Sequence, residues 1–249
     1  MAGCTAMEDS GQSQDNSQDN ELPPGVSSNG VEDWGELIDS HRSFTEGEAT
    51  SVRVESKVTE QPRIKDYTLY RNVSVDGDVY MKKVETTDGS EKVTEVWDAA
   101  NDSSLDVRTL DGGLESFLEA GEQHPYKDLM ATSQIHILDT VRKVEYTNGS
   151  ARKMNISGFD VWRIRAETPT SPTVSEGELT DKKAELNLYV NASGYIHRLG
   201  LLEGYRIDGE LVRDVDTTYD FNVVSSVEKP GWVDQEIRIN DTQESEGST

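Results

Sequence analysis

Apolar and polar residues alternate with a period of two over much of this 249-residue chain. From Val52 to Val58 every second residue is small or apolar and its neighbours are polar, and a longer alternation runs from Leu211 to Val223. A period of two is that of a β-strand with one buried face and one solvated face. The chain is therefore predicted to fold around a sheet whose inner face carries the core.

Short turn signals separate the alternating stretches, so successive strands are predicted to pair as antiparallel hairpins. Parallel strands would instead need crossover helices between them. The predicted turns are Asp76-Gly77, Asp88-Gly89, Asn148-Gly149, Ala192-Ser193 and Asp208-Gly209. The strands are predicted from 49 onward and at 66–75, 78–87, 91–98, 104–110, 139–147, 151–156, 158–167, 183–191, 194–206 and 210–224.

Helical periodicity is confined to short stretches. Trp34, Leu37, Ile38 and His41 form one apolar stripe of a helix predicted from Val31 to about Thr45. Two further short helices are predicted after Gly112-Gly113 and near 126–138, and a long polar loop at 169–179. The apolar residues of those two helices are Leu114, Phe117, Leu118, Tyr126, Leu129, Met130, Ile135 and Leu138.

Few helices inserted among many antiparallel strands describe an α+β fold that is mainly antiparallel β. We expect a strongly curved, unclosed half-barrel of about ten strands, with a few helices covering its concave face. This single domain is predicted at 31–239, with Trp232 capping one edge of the core.

The first residues carry a lipid-attachment pattern. Met1-Ala-Gly-Cys4 resembles the cleavage site of lipoprotein signal peptides, and Cys4 is the only cysteine. No Lys, Arg or His occurs from Thr5 to Asp33, so residues 1–30 are predicted as a lipid-attachment site with a disordered acidic leash. Residues 240–249 are predicted as a disordered acidic tail. This organisation predicts a domain anchored by lipid on the extracellular face of the cell membrane.

The charge is strongly one-sided, with 48 acids against 24 Lys and Arg residues and a net charge of −24. Nucleic-acid partners are excluded, because binding phosphates needs a positive surface. An acidic surface for cations or basic partners is one interpretation. The acids are dispersed along the chain, which favours adaptation to concentrated salt, where charge repulsion is screened.

Six Asn-x-Ser/Thr sequons occur where chance would supply about two, which indicates a glycosylated, exported surface. Because Asn and Ser both favour turns, turn composition alone is the alternative explanation. The candidate asparagines are Asn72, Asn101, Asn148, Asn155, Asn191 and Asn240.

No sequence motif for catalysis or metal binding is present. The four histidines are scattered and lack the spacing of transition-metal sites, and nucleotide-binding glycine loops and nucleophile elbows are absent. The sequence therefore predicts neither an enzyme nor a cofactor nor a metal site. Apolar residues on the inward faces could instead line a cleft between the sheet and the helices, or simply fill a core. These residues are Trp97, Leu118, Ile135, Leu138, Trp162, Tyr189, Leu201 and Tyr219.

Several short motifs resemble those of haloarchaeal surface lipoproteins of unassigned function. Pro23-Pro24-Gly25 and His41-Arg42 stand in the order found in that family, followed near the C terminus by Thr218-Tyr219-Asp220-Phe221 and Pro230-Gly231-Trp232. The family is similar in layout to the LolA-like carriers of lipoproteins and glycolipids, which are half-barrels with helices over an apolar cavity. The resemblance implies this fold and a hydrophobic ligand.

The combined prediction is a monomeric surface lipoprotein whose apolar cleft binds or carries a lipid or another hydrophobic molecule without catalysis. A structural or protein-interaction module with a filled core is the alternative, with the outer face of the sheet or the 169–180 loop as its contact surface. A hydrolase with two carboxylates converging in the cleft is a third hypothesis.

Overall fold

The computed structural model describes residues 22–60, 63–87, 89–100, 105–120, 133–144, 146–156, 158–168, 171–175, 178–207 and 210–233. Two helices lie in these ranges, α1 (Trp34–Thr45) and α2 (Gln134–Val141). The strands are β1 (Val26–Ser27), β2 (Gly30–Val31), β3 (Ala49–Glu60), β4 (Arg63–Val73), β5 (Val79–Thr87), β6 (Ser90–Asp98), β7 (Leu105–Asp111), β8 (Leu114–Ala120), β9 (Thr147–Ile156), β10 (Phe159–Glu167), β11 (Ser171–Ser175), β12 (Glu178–Val190), β13 (Ile196–Ile207) and β14 (Glu210–Val224).

Strands β3 to β14 form one antiparallel sheet in the order β8-β7-β6-β5-β4-β3-β14-β13-β12-β10-β9, and β11 pairs with β12 off this path. Among the described residues, the first and last strands of this order do not pair with each other, so the curved sheet is open. This confirms the predicted fold class, a mainly antiparallel half-barrel with helices on its concave face. Since β14 pairs with β3, the two ends of the domain meet at the centre of the sheet.

Helix α1 begins where Asp33 accepts a hydrogen bond from the backbone N–H of Glu36, 3.0 Å away. Its predicted stripe is confirmed, because Leu37, Ile38 and His41 are all buried. Ser133 caps α2 in the same way, accepting from the N–H of His136 at 3.1 Å. Both helices pack onto the concave face of strands β3, β14, β13, β12 and β10, where they enclose the main core.

A second apolar cluster lies on the concave face of β5 to β7 and contains Val79, Met81, Val96, Leu105 and Val107. Arg71 stands between the two clusters, since it pairs in register with Val52 on one side and Met81 on the other. Burial lowers the pKa of this guanidinium to about 10, so it remains charged at neutral pH.

The helix predicted after Gly112-Gly113 is wrong, because Leu114, Phe117 and Leu118 belong to strand β8. Gly112 and Gly113 both have positive φ, 55° and 83°, and Asp111 pairs directly with Leu114. Two such residues form the tight hairpin turn whose twist matches that of the flanking strands. The turn returns the chain along β7, so these apolar residues extend the sheet.

The strand predicted at 139–147 is also wrong, because α2 continues to Val141. Ile137, Leu138 and Val141 form its buried face, and the following strand begins only at Thr147. The predicted helix near 126–138 lies partly outside the described residues. The part that is described begins at Gln134.

Asn148-Gly149 is not a turn but lies inside β9. A Cβ atom on Gly149 would be 2.0 Å from the carbonyl oxygen of Asn29, so glycine is needed here for close approach of another backbone. The polar loop predicted at 169–179 is likewise corrected, because Ser171–Ser175 and Glu178–Val190 pair as a hairpin.

Part of the segment assigned to the leash is folded. The β1–β2 hairpin packs against β9, where the N–H of Ala151 donates to the carbonyl of Ser28 at 3.1 Å, and Pro23 and Gly30 are buried. Residues 1–21 and 234–249, including Cys4 and the predicted tail, lie outside the described residues. Neither of the two helices described is long and apolar enough to cross a bilayer.

Candidate functional site

A continuous row of side chains crosses the concave face from β4 to β10, and we call it the trough row. Each member pairs in register with the next, and the six strands at their usual spacing give a row of about 24 Å. The members in spatial order are Tyr67, Ser56, Thr217, Leu201, Leu186 and Ala166.

The centre of the trough row is polar but satisfied. The hydroxyls of Ser56 and Thr217, both buried, are 3.0 Å apart and hydrogen-bond to each other. Towards β10 the row becomes apolar, because Leu186 and Ala166 belong to the main core and Leu201 packs against it while remaining partly exposed. The row therefore has no unpaired hydroxyl at its centre, and its buried members Ser56, Thr217, Leu186 and Ala166 leave room for a ligand only at its ends.

A cavity of about 350 Å³ lies at the β10 end of the row. Leu186 and Ala166 form its floor, and the rings of Trp34 and Tyr146, 6.3 Å apart, stand beside it. The other lining residues come from the β1–β2 hairpin and the start of β9, namely Asn29, Gly30, Val31, Thr147 and Gly149. This volume lies within the range of small-molecule sites, which is about 300–1,000 Å³.

Tyr146 and Tyr219 are neutral phenols at neutral pH. Burial raises the pKa of Tyr146 and of Tyr219 to about 12, and the nearby negative charge of Glu203 adds to both shifts. Glu203 lies two residues after Leu201 and therefore on the same face of β13. The site thus combines an apolar floor, phenol hydroxyls and one carboxylate at its edge.

The structure brings four of the predicted cleft residues together at the main core. Leu138 is fully buried there, while Ile135, Leu201 and Tyr219 are partly buried against it. Trp162 lies on the same face of the sheet, because it pairs with the core residue Val190.

The other three predicted residues lie elsewhere. Leu118 is on the edge strand β8 and is 52% exposed. Trp97 and Tyr189 alternate with the concave-face residues Val96 and Leu188, so both lie on the outer face.

Sequence reasoning did not select Trp34, Tyr67, Tyr146 or Ala166 for the cleft. Trp34 was assigned to the α1 stripe, and its position at the first turn next to the cavity depends on how the helix docks. Tyr67 and Ala166 are inward-facing by alternation and could have been selected on that signal. Tyr146 was placed in the strand predicted at 139–147, whereas it follows the end of α2, so the pattern did not point to the cavity.

Three of the sequon asparagines have described side chains. Asn72 lies within β4 and is half-buried. Asn155 is exposed beside the β9–β10 turn, where its Nδ2 donates to Asp160 at 2.9 Å, and Asn191 Oδ1 accepts from the N–H groups of Ser193 and Tyr195. The side chains of Asn101, Asn148 and Asn240 lie outside the described set.

Within the described residues, no three or more His, Cys, Asp or Glu side chains gather in a way that could hold a metal ion. The trough row itself carries only hydroxyl and apolar groups. The chemistry available there is burial of apolar surface together with hydrogen bonding to phenols and Glu203.

No protein-family model matches the chain, and no curated protein matches it. Among solved structures, LprF from Mycobacterium bovis is similar, at 12% identity over 79% of this chain and 95% of that chain, with a TM-score of 0.42. A chain of a MucA/MucB complex from Pseudomonas aeruginosa is 14% identical over 78% of this chain and 59% of that chain, with a TM-score of 0.35. A putative outer membrane lipoprotein-sorting protein domain from Vibrio parahaemolyticus is 10% identical over 78% of this chain and 93% of that chain, with a TM-score of 0.27. These TM-scores are below 0.5, and we draw neither function nor partner from the similarities.

Proposed function

We propose that this protein is a non-enzymatic surface lipoprotein whose concave face binds or carries a lipid or another hydrophobic molecule. The observation that carries the proposal is the cavity of about 350 Å³ at the apolar end of the trough row. An acyl chain entering the cavity beside Trp34 and Tyr146 would gain about 0.8 kcal/mol for each buried CH₂ group. A dozen such groups would give about 10 kcal/mol before the cost of association, without a charged contact.

The polar groups at the site favour an amphipathic ligand. Tyr146 stands beside the cavity, and Glu203 influences both Tyr146 and Tyr219. Neutral phenols can donate hydrogen bonds to ester or hydroxyl groups, while the carboxylate disfavours an anionic headgroup. We infer a ligand with an apolar chain and a neutral or cationic polar end.

Native mass spectrometry of protein purified in high salt would test the proposal. We expect co-purified lipid, and we expect Thr147→Trp to reduce it, because Thr147 is an exposed residue at the cavity wall where an indole would occupy the space. Thr86→Trp is the matched control, since Thr86 is an exposed strand residue on β5 outside the cavity. Lipid that is absent from the wild type, or retained equally by both variants, would contradict the proposal.

A hydrolase is disfavoured by the lining of the cavity, because none of the described residues that line it is an acid. Glu203 on β13 is the carboxylate at the edge of the site. Paired-carboxylate hydrolysis needs two acids within about 10 Å across the reacting bond. Hydrolysis assays on lipid esters, run beside the binding measurement, would show turnover if this interpretation were wrong.

The cellular location is part of the same proposal. Lipid attachment at Cys4, an extracellular address, a monomeric state, glycosylation at the sequons and membership of the haloarchaeal lipoprotein family are inferred from the sequence patterns alone. Intact mass of the protein extracted from membranes would test attachment, because a diacylglyceryl group and each glycan add defined masses. An unmodified, water-soluble species would contradict the anchor while leaving the ligand proposal open to its own test.

A protein-interaction module is the second candidate, and one observation favours it. Strand β8 is an edge of the sheet, and its concave-face residues Leu114 and Leu118 are 78% and 52% exposed. Exposed edge strands with apolar side chains are sites for pairing with another chain. Leu114→Lys with Leu118→Lys should abolish such pairing in chemical crosslinking, and should not change lipid content if the carrier proposal holds.

A further inference from the structure

A second cavity, of about 610 Å³, lies on the outer face of the sheet, away from the trough row. Except for His197, which lies at the bulge between Ile196 and Arg198, its residues alternate along their strands with residues of the concave face. Tyr189 follows Leu188, for example, and Asp220 follows Tyr219. The cavity is lined by Ile156, Phe159, Val161, Tyr189, His197, Arg198, Asp220 and Asn222.

One side of this outer cavity is apolar and unusually open. Val161 is buried, but Ile156 is 42% exposed and Phe159 is 74% exposed at the end of the β9–β10 hairpin. Tyr189 adds a second, half-buried aromatic ring from β12. A large aromatic side chain left in solvent beside a cavity provides a flat apolar surface for a ligand to cover.

The opposite side is polar and close to electrically neutral. The Nε of Arg198 donates to Oδ1 of Asp220 at 2.5 Å, so the two charges neutralise each other. Burial lowers the pKa of His197, which is therefore an uncharged imidazole at neutral pH. Asn222 supplies an amide with both donor and acceptor atoms. This side of the cavity is therefore close to neutral, whereas the whole chain has a net charge of −24.

We propose that this outer cavity binds a neutral saccharide. A pyranose ring has one or two flat faces of C–H groups and a rim of hydroxyls that both donate and accept hydrogen bonds. Phe159 and Tyr189 can cover the C–H face, while Asn222 and the Arg198–Asp220 pair offer planar donors and acceptors to the hydroxyls. Arg198 uses Nε and Asp220 uses Oδ1 for the ion pair, and the other guanidinium nitrogens and the second carboxylate oxygen are the atoms that would hydrogen-bond the sugar hydroxyls.

Other ligand classes fit this surface less well. A phosphate or a metal ion would meet an internally neutralised ion pair rather than an excess of one charge. A purely apolar chain would leave the polar groups of Asn222, Arg198 and Asp220 dehydrated without replacement hydrogen bonds. An anionic membrane surface would be repelled by the strongly acidic chain.

Titration of ¹⁵N-labelled protein with neutral oligosaccharides of glucose, mannose, galactose and N-acetylglucosamine tests the proposal. The protein is produced without N-glycans, because the sequon residue Asn155 adjoins Ile156 of the cavity. We expect shifts of the amides around Phe159, Tyr189 and Asn222, and a loss of affinity of about tenfold in Phe159→Ala and in Asn222→Ala. Tyr70→Ala is the matched control, since Tyr70 is an exposed aromatic residue on the same face, stacked on Arg53 outside the cavity.

Four results would overturn the proposal, three of them in the saccharide titrations. Those three are the absence of shifts with every saccharide, binding that survives both cavity variants, and loss of binding in Tyr70→Ala to the same extent. Binding of phosphatidylcholine vesicles or of an alkyl glycerol through Phe159, with no saccharide binding, would assign the cavity to lipid and would also overturn it. The trough-row proposal is tested separately by Thr147→Trp, so the two can fail independently.

Discussion

The imidazole Nε2 of His41 lies 2.9 Å from Oε1 of Gln134, and this contact joins α1 to α2 beneath the concave face. His41 Nδ1 accepts from the backbone N–H of Ile196 at 3.1 Å, so the proton is on Nε2 and is donated to Gln134. Gln134 in turn donates to the carbonyls of Ser51 and Asn222 at 3.0 and 3.2 Å. One buried chain of hydrogen bonds therefore fastens both helices to β3, β13 and β14.

Replacing His41 by Ala is expected to destabilise the fold by about 3 kcal/mol. The change removes a fully buried ring that stacks on Tyr195 at 5.0 Å, and it leaves the amide oxygen of Gln134 without its partner. Urea unfolding in high salt measures the effect. His136→Ala is the control, because His136 is an exposed residue on α2, and equal stability of the two variants would show that the network is not important.

The same histidine predicts a pH dependence. Burial lowers the pKa of His41 from 6.5 to about 4, so between these values the unfolded chain binds a proton that the native state does not. The contribution of this residue is fully present above pH 6.5 and falls as the pH drops towards 4, by about 3 kcal/mol in total.

Unfolding free energies of the wild type and of His41→Gln, compared from neutral pH to about pH 4, would isolate this contribution. Carboxylates titrate in both proteins, so their effects cancel in the difference, and a His197→Gln background in both proteins removes the coupling of His197 to His41. The difference should shrink or reverse as the pH falls. A difference that stays constant would mean that His41 binds its proton in the native state as readily as in the unfolded chain.

The sequence predicted those parts of the fold where local pattern and tertiary structure agree. The turn predicted at Asp76-Gly77 is confirmed, because β4 ends at Val73 and β5 begins at Val79. It was predictable from the sequence because adjacent residues specify such a turn. For Leu114 to Leu118 the apolar spacing suggested a helix, and the stronger signal was the preceding Gly112-Gly113 pair. A short apolar stretch fits either period, so the turn must decide.

The candidate site was less predictable because it depends on long-range register. Tyr67 and Ala166 are about 100 residues apart in the chain, and they share the trough row only because six strands align. The faces of Trp97 and Tyr189 were misplaced for a related reason. Both faces of the sheet are buried near Trp97, so hydrophobicity alone could not identify the concave side.

Arg108 is expected to stabilise the edge of the sheet formed by β6, β7 and β8. Its guanidinium lies 3.0 Å from the carboxylate of Glu95 and 2.6 Å from that of Glu115, and Tyr80 donates to Glu95 at 2.7 Å. Glu95 is buried, so Arg108→Ala would leave its charge poorly compensated and should cost about 3 kcal/mol. Arg42→Ala, which breaks the exposed pair with Asp39, should cost less than about 1 kcal/mol, and similar losses in both variants would contradict this assignment.

Salt should stabilise the protein, because the net charge of −24 repels itself and the repulsion is screened over about 3 Å at 1 M ionic strength. We expect the urea midpoint to rise steeply with KCl and to level off near about 1 M. Exclusion of salt from the surface would instead raise the midpoint without levelling off. A midpoint that is independent of KCl would contradict adaptation to concentrated salt.

Gly149→Ala is expected to detach the β1–β2 hairpin from β9. The added methyl group would lie 2.0 Å from the carbonyl oxygen of Asn29, and the backbone of the hairpin would have to move away. The bond between Ala151 N–H and Ser28 would be lost, and the cavity beside Trp34 and Tyr146 would lose one wall.

We expect a destabilisation of about 2 kcal/mol, faster proteolysis at 22–31 and weaker lipid retention. Gly200→Ala is the matched control, because Gly200 also lies within a strand but its Cβ would meet neighbours only at 3.8 Å. If Gly149→Ala unfolds and is cleaved like Gly200→Ala, the hairpin is not held by this contact. If the hairpin detaches while lipid retention is unchanged, the cavity that it walls is not where the ligand binds.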